Sequence, residues 1–359
     1  MLTKLIAVAA SLLVVLAALS YARGGGFQPV YTTAGQIVGL AADDDGLLWL
    51  EKPKPDSPGG SLFALAKGAD APSCLHPDPH LTEIAVAGDR VFGIELAGDL
   101  GALVAIPRSG GGVTRLAGDL IRPAGLAEQA GTLYWTETTP ASQAHVYHVP
   151  VLEARTTIHA LPAGGGQSRA LVAFPGEPAG FQGKLLGVQA ERLYWLDRFG
   201  QRLSDGWAVV RRVPTAGGVP EALTVQRSVG NDAVLEGGEL FFTAPSEDAG
   251  QPLNYRCLRR VQVPAGEPET LTDWLPAAGR LVRYRGTTYY CVLDGVWAVP
   301  ARIAPPTLLI DTLLTAGKLV AGMGGGLYAV GGTPSGNSLC RMPLTFGGRL
   351  RAGLFPRHE

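Results

Sequence analysis

Four carboxylates, Glu51, Glu95, Glu137 and Asp197, each close a short run that begins apolar and aromatic: LLWLE at 47, VFGIE at 91, LYWTE at 133 and LYWLD at 193. Acids at equivalent ends of consecutive strands would form an arc on one face, suited to a cation such as calcium or to a basic ligand. The same placement also serves structure, because a carboxylate at a strand end accepts hydrogen bonds from a neighbouring backbone or closes a turn. A ligand rarely needs the same residue in every repeat, so recurrence favours the structural use. The four acids remain candidate binding residues. His145 and His148, in HVYH, are added to them. Three apart, they face opposite sides of an extended strand, and with His159 nearby they offer a metal-binding loop or the ordinary polar residues of an insertion. His76 and His80, in CLHPDPH, read as residues of an exposed Pro-rich loop.

Other chemistry finds little support. Serines beside glycines occur in RSGGG, RLSDG and TPSGNS, but none has the G-x-S-x-G form between a strand and a helix that exposes a nucleophile. The glycine runs GGGVTRL and GMGGG lie between strand patterns, so no helix N-terminus is available to cradle phosphate. AADDDGLLW lacks the alternating acids and distant Glu of a helix-flanked calcium loop, and Asp44-Asp45-Gly46 reads as a tight turn between two strands. Cys74, Cys257, Cys291 and Cys340 show no pairwise spacing suited to zinc. No catalytic residue, metal site or cofactor is expected, calcium on the acidic arc being the alternative.

The elements that would position these residues are legible in a repeat. The aromatic run recurs as LFFTA at 240, TYYCV at 288 and LYAVG at 327. Taking Leu48, Phe92, Tyr134, Tyr194, Phe241, Tyr289 and Tyr328 as equivalent, the spacings are 44, 42, 60, 47, 48 and 39 residues. A second strand pattern follows, usually ending in Pro and often a Gly pair, as in LVAIPRSGGG, IHALPAGGG and VVRRVPTAGG. A short outer strand comes next, and an apolar stretch precedes each aromatic run. The unit is four short strands in about 45 residues. In LYWTE, Tyr134 and Thr136 point to one face while Leu133, Trp135 and Glu137 point to the other. Large residues on both faces mean that both are buried. Four-stranded units packed radially meet that need, so an all-β propeller is expected, most readily with seven blades and with six or eight as alternatives. The blade containing Tyr134 is longest, its excess being TPASQAHVYHVPVLEARTT at 139–157. FQPVYTT at 27–33 resembles an outer strand without a blade of its own, and could complete the last blade beside RLRAGLF at 349–355.

LYWTE and LYWLD resemble the YWTD-type repeat, and the Pro-Gly-Gly strand ends resemble secreted bacterial propellers with TolB-like and NHL-like repeats. The pattern covers nearly the whole chain after residue 35, but the motif is close only at 133 and 193. The resemblance implies a recognition scaffold, with enzymes a minority, and carboxylates that tie blades together. Two departures stand: the acid is missing from the last three runs, and YWTD propellers usually have six blades.

Before the repeat, Lys4 precedes an unbroken apolar run from Leu5 to Leu19, followed by Ser20 and Ala22 at small-residue positions. This is the pattern of a signal peptide over 1–22, with a retained membrane anchor as the alternative. The expected division is 1–22 signal, 23–35 spacer and closing strand, 36–355 one propeller domain and 356–359 tail. Export to the periplasm or outside the cell would permit disulfides. Cys74 and Cys340 fall in blades that must meet at closure, and Cys257 and Cys291 in adjacent ones. With 30 Lys and Arg against 31 Asp and Glu, no footprint for nucleic acid exists. The expected function is an exported, non-catalytic, monomeric scaffold that binds a protein or small ligand through the variable loops after the aromatic strands. The alternative is a metal-dependent hydrolase or lactonase with its site in the central channel.

Overall fold

The computed structural model describes residues 28–146, 149–176, 181, 183–199, 207–226, 232–245, 256–275, 279–284, 286–292, 295–299, 307–311, 319–322, 326–333 and 336–342. The expected signal segment at 1–22, residue 148 of the histidine pair, the 349–355 strand and the 356–359 tail lie outside them. Among the described residues no helix is long and apolar enough to cross a membrane.

Strand β1 (Gln28–Thr33) is followed by β2 (Gln36–Ala42), β3 (Gly46–Lys52), β4 (Gly60–Ala66), β5 (Ser73–Ala87), β6 (Arg90–Ala97), β7 (Leu100–Pro107) and β8 (Thr114–Ile121). β2 to β8 pair in order as one seven-stranded antiparallel sheet. That sheet is two units sharing one long strand. Ser73, Cys74 and His76 of β5 pair with β4, whereas Glu83 to Ala87 pair with β6. The next sheet holds β9 (Ala124–Gln129), β10 (Thr132–Val146), β11 (Val149–Pro162) and β12 (Arg169–Gly176). It is followed by β13 (Lys184–Gln189), β14 (Arg192–Phe199), β15 (Trp207–Pro214) and β16 (Glu221–Gln226), then by β17 (Ala233–Glu236), β18 (Glu239–Pro245), β19 (Arg256–Gln262) and β20 (Glu269–Leu275). A further sheet has β21 (Arg280–Tyr284), β22 (Thr287–Val292), β23 (Gly295–Val299) and β24 (Thr307–Asp311). The last combines β25 (Leu319–Gly322), β26 (Gly326–Thr333) and β27 (Gly336–Met342) with β1. The four-stranded units are numbered below as blades in chain order, the one closed by β1 coming last.

The innermost strands β2, β5, β9, β13, β17, β21 and β25 each lie against the next, and β25 lies against β2. The chain is a β-propeller. β1 completes the last blade by pairing with β27, for example Thr32 with Ser338, and the 349–355 segment expected beside it lies outside the described residues.

Radial packing explains the adjacent large residues of the repeat. Trp49, Trp135 and Trp195 are fully buried, and each faces the preceding blade. Trp49 packs with Tyr328, Val330 and Leu339, Trp135 with Ile94, Leu103 and Leu120, and Trp195 with Ile158, Leu171 and Phe174. Tyr134, one residue along, faces the next blade and shares a cluster with Leu193 and Trp195. Successive residues therefore fill two different seams, which is how a twisted sheet becomes covered on both sides. Rings also meet across seams, Tyr31 tilted against Trp49 at 5.1 Å and Phe174 stacked on Trp195 at 5.5 Å between centroids.

Tight turns join the first and second strands of several blades. Between β9 and β10, Ala130 and Gly131 have φ of 50° and 77°. Both lie in the left-handed region that matches the right-handed twist of a hairpin. Between β13 and β14 the same geometry is imposed on Ala190 and Glu191, at 50° and 55°, without any glycine. At Asp43–Asp45 the turn forms as expected: Asp43 Oδ1 accepts the N–H groups of Asp45 and Gly46 at 3.0 and 3.1 Å.

Three readings of the sequence need correction. The 139–157 insertion is not a loop, because β10 and β11 continue their pairing outward as far as Val146 opposite Val149. His76 and His80 lie on β5, where prolines alternating with polar residues mimicked a loop; His76 pairs opposite Leu62. Cys74 and Cys340 are free thiols, so the pairing expected between them does not form. Cys257 is buried and donates to the Ala244 carbonyl at 3.6 Å, and burial raises the Cys340 thiol above its ordinary pKa.

Candidate functional site

The acids that end the aromatic strands are held by the protein itself. Glu51 on β3 accepts hydrogen bonds from Tyr31 Oη, at 3.3 Å, and from Thr33 Oγ1, both on the closing strand β1. Burial, and then the Glu51 charge, raise the Tyr31 pKa and keep its hydroxyl protonated as a donor. Glu95 on β6 lies 3.4 Å from Nε2 of His76, which belongs to the outer edge of the preceding blade. Glu137 on β10 accepts the Ile121 backbone N–H at 2.9 Å from the preceding blade and Trp135 Nε1–H at 3.3 Å from its own. His159 stacks on Trp135 and places Nε2 3.4 Å from Glu137. Its burial lowers the imidazole pKa, against the pull of the Glu137 charge. Asp197 on β14 is buried and sits 3.3 Å from Arg211 Nε of its own blade.

The other candidates are not brought to these acids as a cluster. The backbone of His145 lies in the outward part of β10, opposite Pro150 and beyond Thr139, while residue 148 is outside the described residues. Among the described residues no group of three or more His, Cys, Asp or Glu is arranged to hold a metal ion.

A different charged group gathers where the innermost strands of blades 4 to 6 begin. Asp232, one residue before β17, is 1% exposed. Its backbone is pinned to Thr243, whose Oγ1 accepts the Asp232 N–H at 2.9 Å and whose N–H donates to the Asp232 carbonyl at 2.9 Å. Its Oδ2 accepts the Leu281 N–H of the next blade at 2.9 Å. Its Oδ1 faces two cations of the preceding blade: Lys184 Nζ at 3.4 Å and Arg198 Nη2 at 3.7 Å. Lys184 also donates to the Ala233 carbonyl at 3.0 Å. Arg198 is depressed below its ordinary pKa, first by burial and also by the neighbouring Arg280, with Asp232 opposing both. Lys184 and Arg280 begin the innermost strands β13 and β21, so the group lies at one end of the ring's centre.

The sequence reading passed over this group because its members are scattered and unremarkable singly. One signal was present. Blade 5 has Ala244 where blades 1 to 4 have an acid, and Asp232 stands immediately before the strand paired with that run.

Similarity to known proteins is structural. No protein-family model matches the sequence, and no curated protein matches it. Among solved structures it is similar to oligogalacturonate lyase from Vibrio parahaemolyticus, with 8% sequence identity and a TM-score of 0.61 over 89% of this chain and 94% of that one. The β-propeller domain of the Trilobed protease from Pyrococcus furiosus, described as having an open velcro topology, gives 8% and 0.55 over 90% and 100%. An acylaminoacyl peptidase gives 7% and 0.56 over 86% of this chain and 51% of that one, so the chain spans about half its length. At such identities the likeness is one of fold. Propellers of this kind occur in enzymes, and a fold alone assigns no activity.

Proposed function

We propose that the chain is an exported seven-bladed propeller that acts as a non-catalytic binding scaffold. The observation that carries the reading is that Glu51, Glu95, Glu137 and Asp197 are each engaged by the protein's own donors or cations, so they hold the ring together instead of facing a substrate. This use of the acids also supports the resemblance to YWTD-type repeats. Seven blades are supported by the closed succession of innermost strands from β2 to β25. Export is supported by Lys4, the Leu5–Leu19 run and the small residues Ser20 and Ala22. Recognition belongs to the face where the aromatic strands end, because loop lengths diverge there on a rigid frame.

The test uses the purified full chain in two assays. A pull-down from the envelope fraction, repeated with the 140–153 hairpin tip shortened, is expected to recover a partner or ligand that the shortened chain loses. Esterase or lactonase turnover that requires bound metal, and that disappears on Glu51→Gln or Asp197→Asn, would overturn the scaffold reading in favour of a channel hydrolase.

A further inference from the structure

Blade 2 is held to its two neighbours by different means. It shares β5 with blade 1, so one antiparallel sheet runs through both. Its seam with blade 3 separates two sheets, and two carboxylates cross it to accept backbone N–H groups. Glu83 of blade 2 takes those of Gly125 and Leu126 at 2.9 and 2.7 Å, and Glu137 of blade 3 takes that of Ile121 at 2.9 Å. At the seam between blades 3 and 4 an amide does this work: Gln129 bonds both the N–H and the carbonyl of Val188, and it does not titrate.

Glu137 is also touched by a histidine. His159 stacks on Trp135 with centroids 5.3 Å apart, and its Nε2 lies 3.4 Å from the Glu137 oxygen that accepts Trp135 Nε1–H. The two rings are opposite in register and share the face on which Trp135 packs with Ile94, Leu103 and Leu120 of blade 2. Glu137 supplies the charge at the imidazole. Other charged groups of the packed elements are engaged elsewhere. Arg115 and Asp119 of β8 pair at 3.9 Å, Arg122 pairs with Asp99 at 3.0 Å, and Glu95 of β6 lies 3.4 Å from His76. On the same sheet Arg169 donates to the Thr215 carbonyl at 2.7 Å, and Arg155 is exposed.

A proton taken up by this ring creates a cation in a half-buried place. Loss of hydration there outweighs the attraction of Glu137, and the imidazole pKa lies below its ordinary value for that reason. Proton uptake therefore favours any arrangement in which the ring reaches water, and parting blade 3 from blade 2 provides one. The backbone that would part is strained. Leu120 and Ile121 lie between Asp119 and Arg122, non-glycine residues with φ of 58° and 44°.

We infer that the seam between blades 2 and 3 is an acid-operated latch: proton uptake by His159 frees Ile121 from Glu137 and opens this seam before the others, baring the apolar strip of Ile94, Leu103, Leu120 and Trp135. The seam is closed above about pH 6.5 and loosens as the pH falls below it, since the opened form binds the proton more tightly. The latch rests on the contacts of one seam and is independent of the scaffold reading.

Hydrogen exchange of the purified full chain, read by mass spectrometry and corrected for the pH dependence of intrinsic exchange, is compared at pH 7.5 and 5.0. Peptides spanning 116–124 and 132–138 should lose protection about tenfold at pH 5.0, the equivalent of one pKa unit. Those spanning 192–198 and 240–244, in blades 4 and 5, should change by less than about twofold. His159→Phe keeps a ring against the indole, as Phe63 does against Trp49, and cannot titrate, so its protection should be the same at both pH values. His159→Asn makes the same test if the phenylalanine variant does not fold. His76→Asn, in the seam between blades 1 and 2, should leave the pH response in place. The inference is overturned if protection does not fall at pH 5.0, if it falls equally in all blades, or if the fall persists without the imidazole of His159.

Discussion

At the strand ends of blades 1 to 3, Glu51, Glu95 and Glu137 meet hydroxyls, an imidazole and a backbone N–H of the adjoining blade. At the corresponding end of blades 4 to 6, Lys184, Arg198 and the Leu281 N–H meet Asp232, and the acid has moved from the aromatic strand to the start of the innermost one. Both arrangements cross a seam between blades. The first uses hydroxyls, an imidazole and a backbone N–H, whereas the second adds side-chain cations to a backbone N–H. A repeated fold can therefore hold its blades together by one device in one sector and by a different one in another.

The comparison can be broken in four ways. The largest effect should be common to both sectors. Trp135→Ala and Trp195→Ala each empty a fully buried seam and should lower unfolding free energy by about 3–5 kcal/mol in urea titrations. A loss confined to one of them would mean that the sectors differ in packing and not in charge.

Next, Asp232→Asn and Glu137→Gln should diverge in their response to anions. Asp232→Asn keeps an acceptor for Leu281 N–H but strips the cations of their counter-charge, costing about 2–3 kcal/mol after allowance for the exposure of Lys184. Glu137→Gln weakens charged hydrogen bonds and should cost about 1–2 kcal/mol. Unfolding in phosphate against chloride at equal ionic strength should restore part of the first loss and none of the second.

The acid-tied sector should also respond to pH through His159. Burial holds its folded pKa below 6.5, so the unfolded chain binds the proton at higher pH than the folded one. Stability from this residue is therefore complete above about pH 6.5 and falls as the pH drops through the window below it. His159→Asn should flatten that part of a stability profile measured from pH 7.5 to 5. A steeper profile in the variant would contradict the assignment.

The smallest effect concerns the turns. Glu191 adopts a left-handed φ of 55° that Gly131 meets in the preceding blade without a side chain. Glu191→Gly should stabilise the protein by up to about 1 kcal/mol in thermal or urea unfolding.

These contrasts mark how far the sequence could be read. The propeller was legible because Trp49, Trp135 and Trp195 and their neighbours must each fill a seam, and that demand recurs at nearly constant spacing. The structural use of Glu137 was legible for the same reason. Asp232, Lys184 and Arg198 were not, since they come together only through the packing of adjacent blades and no local spacing records it. The 139–157 segment was misread because its prolines and small residues look like loop, although it pairs as a ribbon. His76 was misplaced likewise, as alternating Pro and polar residues along a shared strand imitate a turn-rich stretch.

One consequence of the closing strand concerns the order of events in folding. Thr32 and Ser338 hydroxyls stand 3.1 Å apart although 306 residues separate them. β1 must therefore wait without its partner strand until synthesis has reached β27. Contacts of such long sequence separation come late and slow the search. Until they form, the exposed edge of β27 is open to pairing with another chain, so a competing peptide of sequence QPVYTT should trap the molecule most readily during refolding and hardly at all once the ring has closed.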